Sequence, residues 1–364
     1  MNDTLEAQYR VNPRLRVIFT SDDEILIKHG ARSPTSRIVR DDGRTRLLGT
    51  VLRGLQSHGS LAALLERRLI PADQQQSASE LIEYLHQEQV LQRAGEDVVQ
   101  TYLSSVVRAP SRLTDARVVQ VGAGYLGSRI AEELVRLQIG ELTLLDDRSM
   151  QSAELDRRFF QLPPRLVQTG RSYVGSVVEH LQQGGDTRVL GQHVSVLDKD
   201  ALRAALASAH LVVVAAESMS LRLMHTVNEV ALELRKPWLA VQMDGSEAFV
   251  GPLFVPGESA CYNEFQLQHE ASSGAVKDEY LTYKEALNSP ELRFEHLSLP
   301  PFVQTACGFA ATAVMRFLST GKCFLLGRCL RIDFERLSVD TEEVLRLPRC
   351  PACSPYKPYR HTYL

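Results

Sequence analysis

Residues 117–147 read RVVQVGAGYLGSRIAEELVRLQIGELTLLDD. An apolar run of Val118, Val119 and Val121 enters Gly122-Ala123-Gly124-Tyr125-Leu126-Gly127. Ile130, Leu134, Val135 and Leu137 then recur at helical spacing, and a second apolar run over 142–145 ends on Asp146. Strand, glycine turn, helix, strand and acid, within about 30 residues, are the parts of a mononucleotide-binding βαβ unit. The glycines let the backbone turn tightly and approach a phosphate, while the following helix offers unpaired N–H groups to an anion. Asp146 stands where a carboxylate accepts hydrogen bonds from a ribose. A packing unit whose pocket has decayed keeps the same pattern, so nucleotide descent and nucleotide use are separate questions.

The rest of the chain sets the frame. At 364 residues it predicts two or three domains, and its 44% apolar and 23% charged content is that of an ordinary soluble protein. A formal charge of −3 exerts no overall pull toward nucleic acid or an anionic membrane. No apolar run approaches the roughly 20 residues of a bilayer span, and the N-terminal MNDTLEAQYR has no signal-peptide core. The expected setting is therefore the cytoplasm, with the six cysteines free, buried or metal-bound rather than paired.

The first hundred residues have their own logic. Residues 15–19 (LRVIF) and 24–28 (EILIK) read as a hairpin across Thr20-Ser21-Asp22-Asp23, with a third strand at 36–40. Leu47, Leu48, Val51, Leu52 and Leu55 mark a helix, Ser60 caps a second over 61–68, and a third follows over 80–88. Strands at 90–91 and 98–99 across Gly95 would close a wing. This is a small α+β winged helix-turn-helix layout over residues 1–105, joined by a linker near 102–110 to a second domain at 106–364. Its basic residues are interleaved with acids, so the footprint for nucleic acid is missing. The remaining uses are capture of an extended peptide at the sheet edge, beside a helix, or a structural role.

Past Asp146, Arg157 and Arg158 in ELDRRFF are placed to reach back over a phosphate tail, or else form a solvated basic pair. A short helix at 172–181 and a strand at 194–196 follow. Residues 211–216 (LVVVAA) form a continuous apolar run, as a strand buried on both faces requires. That strand ends on Glu217, where open α/β sheets place their ligands. A helix over 224–235, a strand over 238–242 and a strand-turn-strand hairpin over 248–257 complete the pattern.

These residues resemble the ThiF-like, ubiquitin-activating-enzyme-like adenylating superfamily over roughly 113–353. The carriers are GAGYLG with LLDD, ELDRRFF, VVVAAES and GPLFVPGESACY, in that order. The resemblance implies a Rossmann-like α/β fold in which ATP binds Gly122, Gly124 and Gly127, Asp146 holds the ribose, and Arg157 contacts phosphate. Arg171 stands for a phosphate-contacting lysine and Glu217 for an aspartate that helps hold magnesium. A substrate carboxylate would then attack the α-phosphate to give an acyl-adenylate, with Arg157 and Glu217 as the catalytic residues. The family's N-L-x-R-Q appears here as Glu154-Leu155-Asp156-Arg157-Arg158, and Glu217 is one methylene longer than the usual acid.

The resemblance also implies a structural zinc held by two C-x-x-C pairs. Cys350-Pro351-Ala352-Cys353 is complete, while the first pair reads Cys261-Tyr262-Asn263-Glu264. Three thiolates plus the Glu264 carboxylate suit tetrahedral zinc, and a decayed site is the alternative. Cys307, Cys323 and Cys329 read as core fillers.

A peptide-binding winged helix fused to such a domain resembles proteins that handle ribosomally made precursor peptides. One branch, the microcin C and pantocin adenylating enzymes, activates the peptide with ATP. The other binds the leader peptide and serves a YcaO-type cyclodehydratase in thiazole/oxazole pathways, and the RLPRCPACS ending is similar to this branch. The expected partners are thus a precursor leader peptide, a YcaO-type enzyme and a second copy of the chain, with neither nucleic acid nor membrane. Residues 274–289 read as a crossover loop closing over peptide or nucleotide, and 300–318 as a core or dimer-interface helix. Strands are expected near 325–326, 329–334 and 343–347, followed by an extended tail after Cys353.

Overall fold

Alternating apolar residues build the first sheet. A computed structural model describes all residues except 1, 34–35, 108–110, 152–161, 218–219, 273, 275–276, 289–297 and 355–364. The chain divides into two compact units, Met1–Arg108 and Ala109–Leu364.

In the first unit, α1 (Asn2–Glu6) and β1 (Tyr9–Val11) precede the antiparallel sheet of β2 (Arg16–Phe19), β3 (Glu24–Lys28) and β4 (Ser36–Arg40). Ile25, Ile27 and Val39 point inward and are buried, while Ile18, Leu26 and Ile38 lie in register across the outer face. Helix α2 (Leu47–His58) packs Leu48, Val51, Leu52 and Leu55 into the same core, at the spacing that places them on one face. Ser60 caps α3 (Leu61–Glu66) as expected, its Oγ accepting the Ala63 N–H at 3.3 Å. Helix α4 (Gln75–Gln87) follows, then β5 (Leu91–Arg93) and α5 (Val98–Tyr102).

The expected wing is not formed as read. Strand β5 pairs antiparallel with β1, at the start of the chain. Val98 and Val99 open a helix instead, because Asp97 caps it by accepting the Gln100 N–H.

The second unit is built on one sheet in the order β13-β12-β11-β10-β9-β6-β7-β8. In chain order its elements begin with β6 (Arg117–Val121), α6 (Tyr125–Arg136), β7 (Glu141–Leu145), α7 (Tyr173–Leu181), β8 (Arg188–Gln192) and α8 (Lys199–Leu206). They continue with β9 (Leu211–Ala216), α9 (Leu221–Leu234), β10 (Trp238–Asp244), β11 (Glu247–Phe254), α10 (Tyr262–Ser272) and α11 (Lys277–Asn288). The last are α12 (Pro300–Thr320), β12 (Arg328–Asp333) and β13 (Ser338–Glu343). Strands β8, β7, β6, β9 and β10 run parallel, and β11 to β13 extend the sheet antiparallel.

All six residues of β9 are buried, as its continuous apolar run required. The chain leaves β6 toward β7 and β8 on one side and returns to β9 and β10 on the other. The carboxyl ends of β6 and β9 therefore form the topological switch point where such sheets bind ligands. Gly122 and Glu217 are the residues that follow those two ends.

Four expectations are corrected. The strand read at 194–196 lies instead at Arg188–Gln192, where Val189 is buried against β7. The hairpin read within 248–257 is one strand, β11; the chain turns at Gly245 and Ser246, and the Gly251-Pro252 peptide within β11 is cis. Residues 277–288 are helical although read as loop; α11 is polar on most of its surface, so it carries little apolar periodicity. The last strand is β13, not 343–347. The 21-residue α12 has the length and apolar character of a membrane span by composition alone, but Val303, Ala306, Cys307, Ala310 and Val314 are buried, and it packs on α6 and β11.

Candidate functional site

The glycine turn is shaped by what lies against it. Gly122 has φ +101°, and its N–H donates to Leu145 O at 2.8 Å. A Cβ there would stand 2.1 Å from Ala215 O on β9, so no side chain fits. Gln120, fully buried within β6, donates its Nε2 to Gly122 O and Gly127 O, both at 2.8 Å. Sequence reading missed this clamp; its signal was a lone amide in an otherwise apolar strand, where a polar group needs a partner.

Asp146 is 1% exposed and sits at the end of β7. Its Oδ2 accepts the Ala123 N–H at 2.8 Å and Arg148 Nη2 at 2.7 Å. Its Oδ1 accepts the Arg148 backbone N–H at 2.9 Å and Nε at 3.0 Å. A carboxylate has about four lone-pair sites, and all four are used. Burial alone would push this carboxyl up, but the Arg148 hydrogen bonds and charge hold it below its ordinary value. Because its folded pKa is lower than its unfolded one, the stabilisation is present above the ordinary carboxylate range. It is lost as pH falls through the depressed value.

Arg148 reaches further. Its Nη1 donates to Glu217 Oε2 at 2.8 Å, and Glu217 Oε1 accepts the Leu126 N–H of the first turn of α6 at 3.2 Å. The negative charge of Glu217, followed by Asp146, raises Arg148 above its ordinary value. A Cβ on Gly124 would lie 2.3 Å from Glu217 Oε1, so the glycine makes the space that this carboxylate fills. Gly122, Gly124, Gly127, Asp146 and Glu217 are thus brought together, with Arg148 as the tie between the two acids. Sequence reading missed Arg148, because its role depends on the end of β9 arriving beside it.

The two arginines named from sequence as phosphate contacts are not seen joining this group. Arg157 lies outside the described residues. Arg171 donates Nε to Ser176 Oγ at 2.8 Å and pairs through Nη2 with Glu179, on α7. Magnesium does not fit Glu217 in this arrangement, since Oε1 accepts the Leu126 N–H and the Arg148 guanidinium occupies the cationic position beside Oε2.

Around the second cluster, the ligand atoms of Cys261, Glu264, Cys350 and Cys353 all lie within 4.8 Å of one another. The three sequence-predicted thiols and the carboxylate therefore converge. The Cys261 and Cys350 sulfurs are 3.7 Å apart. Two sulfurs on a tetrahedral zinc with bonds of about 2.3 Å stand about 3.8 Å apart. Glu264 Oε2 lies 3.3 Å from Cys353 Sγ and also accepts the Cys261 N–H at 2.6 Å, while Oε1 accepts the Leu347 N–H at 2.6 Å. Burial pushes the Cys261 thiol up to about 11 and raises Cys353 as well. Cys350 is also raised by burial, but the Asn263 amide and the backbone N–H groups of its own C-x-x-C turn bring it below its ordinary value. A buried set of three thiols and an acid, with no positive charge among its own groups, fits a divalent soft cation in both spacing and donor type. Cys307 and Cys329 are buried as core fillers, and Cys323 is partly buried.

The fold can be compared with that of known proteins. Microcin C7 biosynthetic enzyme MccB in complex with N-formylated MccA superposes with a TM-score of 0.64 at 18% identity, covering 95% of this chain and 100% of that one. E. coli MccB with ATP gives a TM-score of 0.63 at 17% identity, covering 95% and 100%. The heterocyclase TruD gives 0.57 at 18% identity, covering 96% of this chain and 43% of TruD. At these identities the likeness is one of fold. Among curated protein sequences none matches significantly. The ThiF family model matches residues 100–353, the larger part of the chain, and the protein belongs to the ThiF family.

Proposed function

We propose that this ThiF-family protein captures the leader region of a ribosomally made precursor peptide with its first unit, and presents the peptide to a YcaO-type modifying enzyme in the cytoplasm. The observation that carries the reading is the edge of β4, which among the described residues pairs only with β3, next to the C-terminal end of α4. Arg37 of β4 pairs with the Glu88 carboxylate, and its Nη2 donates to Glu88 O at 3.0 Å. Tyr84, one turn earlier on the same face of α4, is 47% exposed, and Ile38 on β4 is 52% exposed. An extended peptide adding to this edge would point alternate side chains to either side, one set toward Tyr84 and the other toward Ile38. The fold shared with MccB, whose structures include the peptide MccA, and with the heterocyclase TruD supports the same role. Pairing of two copies through the open face of α12 around Gly308 belongs to this proposal, and light scattering of the purified chain tests it.

Under this reading, zinc is held by Cys261, Glu264, Cys350 and Cys353, and supplies a cross-link between the start of α10 and the C-terminal segment. A second reading, ATP-dependent adenylation of a peptide carboxylate, is favoured by the intact glycine turn, by Asp146 and by the fold shared with ATP-bound MccB. Calorimetry with Mg-ATP separates the two: micromolar binding supports adenylation, and no saturable heat removes it.

The leader model is tested by fluorescence anisotropy. The probe is a fluorescently labelled synthetic leader peptide, chosen from a panel of candidate precursor peptides as one that the wild-type chain binds. The double substitution Tyr84→Ala and Ile38→Asp, at exposed positions, is expected to weaken binding by about tenfold or more. Equal affinity in wild type and variant would sink the assignment of this edge.

A further inference from the structure

The site that a phosphate would occupy already holds an anion. Unpaired N–H groups at a helix N-terminus attract negative charge, and at α6 the Leu126 N–H is bonded to Glu217. The carboxylate fills the volume left by the missing Gly124 side chain. It is fixed there by Arg148, which is itself held on Asp146 by three hydrogen bonds. The extra methylene of glutamate gives the reach. The same arrangement uses every lone pair that Asp146 would offer to a ribose.

We propose that Glu217, pinned by Arg148, is an intramolecular stand-in for a nucleotide phosphate, and that it keeps the glycine loop closed to Mg-ATP. A nucleotide entering the loop must displace a carboxylate from the helix terminus and break the bidentate Arg148–Asp146 pair. Gly122, Gly124, Gly127 and Asp146 remain in place behind this plug. The inference rests on reading the ThiF unit as one that no longer turns ATP over, and it supplies the physical cause.

The test is calorimetric titration of the full chain with Mg-ATP. Wild type is expected to give no saturable heat up to about 1 mM. Glu217→Ala, which empties the helix terminus, is expected to bind about tenfold or more tightly than wild type. Glu217→Asp, too short to reach Leu126, should move in the same direction. Circular dichroism and leader-peptide anisotropy on the same samples report folding and the peptide function separately. Micromolar Mg-ATP binding by wild type overturns the proposal. So does a folded Glu217→Ala and Glu217→Asp pair that binds no better than wild type. Loss of leader binding in wild type would instead overturn the peptide reading and leave the plug standing.

Discussion

Replacing Gly122 by alanine should destabilise the ThiF unit by about 4 kcal/mol or more, the largest effect of any single substitution in the glycine loop. Two costs add. At φ +101° an L side chain is strained, by about 1–3 kcal/mol. The new Cβ would also stand 2.1 Å from Ala215 O. That oxygen belongs to the backbone of β9, a central strand, so relief requires moving β6 away from β9, and overpacking of this kind costs about 1–3 kcal/mol. At about 2–4 °C per kcal/mol for a unit of this size, the melting temperature should drop by about 8–16 °C. Gly124→Ala makes the contrast. Its Cβ meets the end of the Glu217 side chain rather than backbone, so relief breaks that carboxylate's bonds to Arg148 and Leu126 but moves no strand, and the cost should be about 1–2 kcal/mol. If the two alanine variants melt together, the steric account of the loop is wrong.

Glu264→Ala carries the second large effect. Glu264 is 1% exposed, and its oxygens accept the Cys261 and Leu347 N–H groups. Removing it leaves the buried Cys261 N–H and the partly buried Leu347 N–H unpaired, at about 1–3 kcal/mol for a buried donor and less for the other, so a total of about 2–4 kcal/mol is expected. Glu264→Gln keeps one acceptor oxygen and should cost less. The metal reading adds an independent measurement. Elemental analysis of wild-type protein should find about one zinc per chain, and chelator treatment should lower its melting temperature. Glu264→Ala should lose most of that metal, and Glu264→Cys, which completes a four-thiolate set, should keep it. A wild-type chain purified without zinc, whose melting temperature ignores chelator, would leave the cluster as buried thiols around a structural acid.

What could be read from the residues follows from the range of the interactions. The glycine turn was legible because its geometry is local: strand, turn and helix N-terminus lie within one short stretch. The hairpin of β2 and β3 was legible for the same reason, since two residues of opposite exposure alternate along each strand. The zinc-type cluster was legible in its members, because Cys261 and Glu264 sit one turn apart and Cys350 and Cys353 share a C-x-x-C segment. Their convergence needed the fold.

The failures have equally specific causes. Gly251-Pro252 has the composition of a turn, yet it makes only a bulge: β11 pairs with β10 up to Val250 and again at Leu253 and Phe254. Helix α11 has few apolar residues to set a period; its Tyr283 hydroxyl instead donates to Asp244 Oδ1 at 2.6 Å, at the end of β10. Arg148 was not singled out from the residues, because the two acids it joins are 71 residues apart, Asp146 and Glu217. A pairing of that range is invisible to periodicity. It is also the feature that most changes the functional reading, since it turns an intact nucleotide motif into an internally occupied one.

The most direct test of leader capture is hydrogen exchange followed by mass spectrometry on the full chain, with and without the labelled precursor peptide. Strand addition places new hydrogen bonds on the edge of β4, so peptide saturation should slow exchange in the segment spanning Ser36–Arg40. The glycine-loop peptides around 121–127 should exchange at their unliganded rate. Slowed exchange at the loop with no change over β4 would contradict the account, and would place the peptide at the nucleotide end of the ThiF unit instead.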